Sequence, residues 1–305
     1  MAKVLASGKT PAGTHRPVML AEVLSALDPR PGERMADGTL GHGGHAAEIL
    51  AGLQPGGCLL ALDQDPLQLP ATETRLRARG FTAESLILRR SNFAGLPRIL
   101  ADLGWTGLDG VLLDLGLSSM QIDNPERGFS YKHHGPLDMR MNPNRGETAA
   151  AWLAKADPDK LEAALARNAD EPHAPRLARA LAGRQLETCE ALADAVRSLL
   201  PGPDAEAALP RVFQALRIQV NDEFGALESI LRDLPQCLNP HGRVAILTFH
   251  SGEDRRVKQA LAAGRKDGTY AEVSPSPLRP SAAEVRENPR ASCAKLRWAR
   301  RAGGT

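Results

Sequence analysis

The sequence predicts an α/β domain, a parallel sheet with crossover helices, interrupted by a helical insert. Short apolar runs alternate with helical patterns through the first third of the chain. The alternation then stops after residue 115, and a buried-strand pattern returns at residues 243–249.

In chain order, residues 34–37 read as a short strand, followed by a glycine turn and a helical stretch over 44–53. A clear strand covers 58–63, a helix 69–79 and a strand 85–89. Residues 109–115 (DGVLLDL) form the strongest strand pattern of this half, apolar on both sides as the buried middle of a sheet requires. Residues 123–146 hold three Pro, three Gly and no sustained period, which marks a functional loop or a domain crossing. Residues 150–200 are Ala-rich and helical, broken by Pro158, Pro172 and Pro175. One helix is expected over 211–231, where Val212, Leu216, Val220, Phe224 and Leu227 recur at spacings of three or four. A polar helix over 253–263 follows the late strand. The expected division is 1–128 and 210–305 for the two parts of the sheet domain, with the insert at 129–209.

Composition narrows the function. With 305 residues, 42% of them hydrophobic, the chain can bury a large core, and its longest apolar run, 244–249, is far short of a membrane span. Residues 1–16 contain no apolar block resembling an export signal, so a cytoplasmic protein is expected. The four cysteines, Cys58, Cys189, Cys237 and Cys293, form no CxxC pair and suit neither a metal site nor a disulfide framework, and none is expected at a cleft edge. His42, His45, His133 and His134 do not make a zinc set either. The formal charge is only +2, yet residues 279–305 hold seven basic side chains against two acidic ones. That segment is either an RNA grip through Arg290, Arg297 and Arg300 or a solvated tail.

Gly41-His42-Gly43-Gly44-His45-Ala46 fits G-x-G-x-x-A between a strand and a helix, and Asp63 closes the next strand 20 residues beyond Gly43. This is an adenosine-binding layout: the glycines admit a ligand to a helix N-terminus, and a strand-end carboxylate accepts both ribose hydroxyls. Asp37, four residues before Gly41, would repel a pyrophosphate but suit the ammonium of S-adenosylmethionine; the alternative is a carboxylate that caps its own turn. No phosphate-loop lysine pattern occurs. Asp114 ends the central strand, and His250 leaves the late one at the same edge, so both are candidates for chemistry or for plain turn roles.

Several segments together resemble the bacterial RsmH (MraW) family, which methylates N4 of a cytidine in small-subunit ribosomal RNA. They include HRPVMLAE from His15, DGTLGHGGH from Asp37, LDQDP from Leu62, DGVLLDLGLSSMQID from Asp109, RGFSY and GPLDMRM within 127–141, FQALRIQVNDE from Phe213 and FHSGEDR from Phe249. The resemblance spans nearly the whole chain. It implies a Rossmann-like class I methyltransferase sheet with an inserted helical domain. S-adenosylmethionine would be held by Gly43, Gly44, His45, Asp63, Phe93, Asp114 and Gln121. The partner it implies is 16S rRNA, within the small subunit, with neither DNA nor a membrane involved. Met120, His42 and Gly252 depart from the family pattern without removing a cofactor contact.

Methylating an exocyclic amine needs a group that orients the amine and takes its proton. Asp114, Asp138 and His250 are the candidates, since the strand end Asp114-Leu115-Gly116-Leu117 lacks the Pro-Pro-aromatic sequence of other amino-methylating enzymes. For RNA, the loop holding Arg127, Phe129, Tyr131, Lys132, Arg140 and Arg145 interleaves cations with aromatics, as a base-stacking surface does. It reads equally as a linker packed by its aromatics. Two other classes stay open: an NAD-dependent oxidoreductase using the same glycine turn, and a non-catalytic RNA-binding or assembly protein.

Overall fold

The computed structural model describes residues 16–303, so most of the segment read for an export signal lies outside the described residues. After α1 (Leu20–Leu27) the chain runs β1 (Arg34–Asp37), α2 (Gly44–Leu53), β2 (Cys58–Asp63), α3 (Leu69–Ala78), β3 (Leu86–Arg90), α4 (Leu96–Asp102), β4 (Leu108–Asp114) and the short α5 (Ser119–Asp123). The insert follows as α6 (Ala149–Lys155), α7 (Pro158–Ala169), α8 (Ala174–Leu181), α9 (Cys189–Leu199) and α10 (Gly202–Asn221). The chain re-enters the sheet through α11 (Glu223–Cys237), β5 (Leu238–Thr248), α12 (Ser251–Lys266), β6 (Tyr270–Val273), α13 (Ala282–Glu287) and β7 (Lys295–Arg301).

The seven strands lie in the order β3-β2-β1-β4-β5-β7-β6, with β1 to β5 parallel and β7 antiparallel to both its neighbours. The expected α/β sheet with a helical insert is the observed one. Strand side chains alternate between two cores, as the two-residue period of a strand demands. Leu60, Leu62, Val111, Leu113 and Ile246 pack with α4, α11 and α12, whereas Leu59, Ala61, Leu112, Ala245 and Leu247 pack with α1, α2 and α3. A third core belongs to the insert and draws on residues from Leu137 to Leu216. The boundary expected at 209/210 falls inside the unbroken helix α10.

The prolines of the insert start helices as well as end them. Pro158 occupies the first turn of α7, where no amide donor is needed, and the Asp157 side chain caps the Lys160 N–H at 2.8 Å. The helix expected over 211–231 is two helices. Asp222 takes a left-handed conformation (φ 48°, ψ 43°) that ends α10 and begins α11, a break invisible to apolar spacing because Val220, Phe224 and Leu227 keep their period across it. The basic C-terminal segment is not a solvated tail: Lys295–Arg301 is strand β7, set between β5 and β6.

Candidate active site

The carboxyl ends of the parallel strands open into a cleft of about 410 Å³. Residues after β1 (Gly38 to His45), at the end of β2 (Asp63, Gln64), after β3 (Asn92, Phe93), after β4 (Asp114 to Ser119, Gln121) and after β5 (Phe249, His250) line it. The expected cofactor residues Gly43, Gly44, His45, Asp63, Phe93, Asp114 and Gln121 are all among them.

The glycine turn is shaped by sterics. Gly43 sits at φ 82° as the N-cap of α2, and a Cβ there would stand 2.7 Å from Thr72 Cγ2. Asp63 ties the turn to β2: its Oδ2 accepts the Gly41 N–H at 2.8 Å and its Oδ1 accepts the Asp65 N–H at 2.8 Å. Each oxygen keeps one lone pair for a ribose hydroxyl. Burial pushes the Asp63 carboxyl up to about 6, against the pull of those two backbone donors.

Asp37 does not do what its position suggested. It is 1% exposed and absent from the cleft wall, and its Oδ1 accepts the Thr39 N–H at 3.0 Å and the Thr39 hydroxyl at 3.3 Å. It caps the turn from behind, and burial raises it to about 6. The carboxylate that faces the cleft beside the turn is Asp114. Its Oδ2 lies 3.4 Å from His45 Nδ1, while its Oδ1 is buried and has no hydrogen-bond partner among the described residues. His45 Nε2 lies 2.9 Å from the Val18 carbonyl and so carries a proton that it donates. Burial disfavours the imidazolium, but hydrogen bonding and charge from Asp114, with Asp37 behind, raise its pKa overall. Asp114 lines the cleft, so its carboxylate is the acidic group that stands beside the glycine turn. A carboxylate at this place suits an ammonium group and would repel a pyrophosphate, so the charge argument passes from Asp37 to Asp114.

Gln121 is placed by a capping box on α5: the Ser118 hydroxyl accepts its N–H, and its Oε1 accepts the Ser118 N–H. Its Nε2 donates to Asp65 Oδ2 at 2.9 Å. Asp65, which sequence reasoning passed over, is fully buried and also accepts the Leu67 N–H and the Arg127 Nη1–H, the latter at 2.7 Å. It connects the cofactor wall to the loop that opens the insert.

In that loop Arg127, Phe129, Tyr131 and Arg140 are taken up in packing, while Lys132 and Arg145 are exposed. Arg127 is 7% exposed, and besides Asp65 it donates from Nη2 to the carbonyls of Arg140 and Met141. Phe129 packs against the insert core beneath the Arg127 guanidinium, and Tyr131 meets Phe213 edge-on at 5.5 Å. Arg140 grips both oxygens of Asp138, at 2.8 and 2.7 Å, and Asp138 does not reach the cleft. In the C-terminal segment, Arg297 is buried and donates to Asp254 at 2.7 Å, alongside Lys295 at 2.8 Å. Arg297 is therefore a packing cation and not an RNA grip. Arg290 does stand on the cleft rim, exposed and paired with Asp123. Cys293 is on the same rim, contrary to expectation; burial holds its thiol above the usual range, the wrong direction for a nucleophile.

His250 caps α12, with its Nδ1 facing the Glu253 N–H at 3.4 Å, while Glu253 Oε2 accepts the N–H groups of Phe249 and His250. Opposing charge comes from α10: Gln214, Arg217 and Asn221 line the cleft at spacings of three and four, one stripe of a helix. That polar stripe was present in the sequence beside the apolar one, and it was the readable signal for this wall.

The MraW methylase family model matches residues 12–302. A protein of Alkaliphilus metalliredigens named ribosomal RNA small subunit methyltransferase H 2 is 45% identical, over 98% of this chain and 88% of its own. Ribosomal RNA small subunit methyltransferase H 1 of Lachnoclostridium phytofermentans is 43% identical, over 97% of this chain and 84% of its own. Ribosomal RNA small subunit methyltransferase H of Methylibium petroleiphilum is 43% identical, over 94% and 95%. With a family model covering nearly its whole length and relatives of this identity, the chain belongs to the MraW methylase family.

Proposed function

We propose that this chain transfers a methyl group from S-adenosylmethionine to N4 of a cytidine in the 16S ribosomal RNA of the small subunit, acting in the cytoplasm on the particle. The observation that carries the reading is the pair of carboxylates flanking the glycine turn. Asp63 keeps one free lone pair on each oxygen, as a ribose diol needs, and the Asp114 carboxylate lines the cleft beside the turn, as an ammonium needs. Gly43, Gly44 and His45 at the start of α2, Phe93, and Gln121 would hold the rest of the donor. When bound, the donor supplies an electrophilic methyl carbon on a positively charged sulfur. The protein's own contribution is to orient the acceptor amine beside that position and exclude water, which supplies much of the rate.

RNA recognition rests on phosphate contacts that position and base contacts that specify. Arg290 on the cleft rim is the cation best placed for the first role. Labelled donor incubated with small subunits lacking the modification, followed by nucleoside mass spectrometry, tests the proposal. Label in N4-methylcytidine is expected. Particle binding without transfer would identify an assembly protein, and heat on titrating NADH but not S-adenosylhomocysteine would identify an oxidoreductase.

A further inference from the structure

Among the described residues, four carboxylates line the cleft: Asp63, Asp114, Glu223 and Glu253. Asp63 holds the glycine turn, and Asp114 faces His45. Glu253 Oε2 is occupied by two backbone donors, and its Oε1 lies 3.2 Å from His250 Nε2. His250 has its Nδ1 on the backbone N–H of Glu253 in the helix cap, and its buried Nε2, without a hydrogen-bond partner among the described residues, lies beside Glu253 Oε1. Glu223 differs. It is the first residue of α11, directly after the left-handed Asp222, where the insert returns to the sheet. Arg217 Nε and Nη2 hold its two oxygens at 2.8 and 2.9 Å, so each oxygen has a fixed direction and one lone pair to spare.

We propose that Glu223 is the catalytic residue that accepts the hydrogen bond of the acceptor amine and takes its proton, with Arg217 as the residue that positions it. The inference rests on the amine-methylating function proposed above. As the N–CH3 bond forms and the S–CH3 bond breaks, the bonding pair stays on sulfur, which becomes neutral. The amine nitrogen gives its proton to Glu223, whose carboxylate becomes a neutral acid and later loses the proton to water. Charge balances: one sulfonium and one carboxylate are consumed together. The groups facing Glu223 are Arg217 from α10, and His250 and Glu253 from the start of α12. Burial lifts the Glu223 carboxyl above its usual range despite the guanidinium, as suits a proton acceptor.

The test is Glu223→Gln, which keeps the shape and cannot take a proton. The turnover number for methyl transfer to small subunits should fall about 100-fold. The dissociation constant for S-adenosylhomocysteine, read by calorimetry, should stay within about twofold, because the donor wall is untouched. A structural ion pair would behave differently. The double variant Arg217→Met/Glu223→Gln removes both buried charges, so a structural role predicts recovered stability and recovered transfer. The proposed role predicts recovered stability with transfer still about 100-fold down, and this variant also serves if the single one folds poorly. Without donor, the wild type should prefer particles carrying cytosine over uracil at the mapped position by about tenfold. Glu223→Gln, whose amide can turn either way, should lose that preference. Transfer above a tenth of the wild-type rate in either variant, or a preference retained in Glu223→Gln, overturns the proposal. Absence of transfer by the wild type overturns the function itself, and this role with it.

Discussion

Replacing Arg127 by Met separates two roles for the loop that opens the insert. The side chain donates three charge-assisted hydrogen bonds, to Asp65 Oδ2 at 2.7 Å and to the carbonyls of Arg140 and Met141 at 3.0 and 2.9 Å. Met fills the space but leaves Asp65, which has no solvent exposure, with the Gln121 amide as the remaining strong side-chain donor to its Oδ2. Breaking one partner of a buried pair costs about 3–5 kcal/mol. At about 2–4 °C per kcal/mol for a large domain, the melting temperature should fall by about 10 °C in calorimetry. The double variant Asp65→Asn/Arg127→Met, which removes both charges, should regain at least about half of that loss. Because Arg127 reaches no phosphate, the slope of log affinity for RNA against log salt should not change. A melting temperature within about 2 °C of wild type, together with a shallower salt slope, would return Arg127 to the RNA interface and refute the structural assignment.

The remaining expectations concern the cleft and the sheet edge. Asp63 is raised to about 6 and must be ionised to accept both ribose hydroxyls, so affinity for S-adenosylhomocysteine should be level above pH 7. It should fall by up to about tenfold per pH unit below pH 6, and an affinity flat from pH 5 to pH 8 would count against Asp63 as the ribose carboxylate. Gly43→Ala places a methyl group 2.7 Å from Thr72 Cγ2 at a left-handed position, and about a tenfold loss of S-adenosylhomocysteine affinity is expected in the same titration. Arg297→Ala should cost about 3 kcal/mol in urea unfolding because it strands Asp254 with Lys295 alone, whereas Arg300→Ala, at an exposed and loosely paired site, should stay within about 0.5 kcal/mol. Arg290→Ala, which opens an exposed pair with Asp123, should leave stability nearly unchanged while lowering RNA affinity and its salt slope by about one unit.

The parallel sheet was legible because its strands are short, apolar and separated by helical periods, and buried central strands leave little room for any other pattern. Residues 58–63 and 109–115 correspond to β2 and β4 nearly residue for residue. Strand β7 was not legible. Its sequence KLRWARR mixes apolar and basic residues without strict alternation, and a cation is a normal strand residue once an acid lies opposite, which Asp254 does from α12. The break at Asp222 was missed because it depends on a single residue in a left-handed conformation, which leaves no periodic trace, whereas α1 carries a readable helical spacing at Leu20, Val23, Leu24 and Leu27.

Charge was the part of the site that sequence position conveyed least well. Asp37 and Asp114 each end a strand next to the glycine turn, and position alone favoured Asp37 as the partner of a cationic donor. The difference arises two residues later: Thr39 turns back to satisfy Asp37 through its N–H and hydroxyl, and the same hydroxyl accepts the Asp114 N–H at 2.6 Å. One threonine thus buries the first carboxylate and holds the backbone of the second at the cleft. The arginines behave alike. Arg127, Arg140 and Arg297 read as phosphate contacts when taken alone, yet each has an acid, Asp65, Asp138 or Asp254, waiting within hydrogen-bond distance. In Asp138-Met139-Arg140 that acid was two residues away and could have been seen, but the other two pairs join segments 62 and 43 residues apart and emerge only from the folded chain. A basic residue in this sequence is therefore informative about RNA only after its possible acidic partners have been placed, and on the cleft rim Arg290, paired in the open with Asp123, is the cation that a phosphate could recruit at small cost.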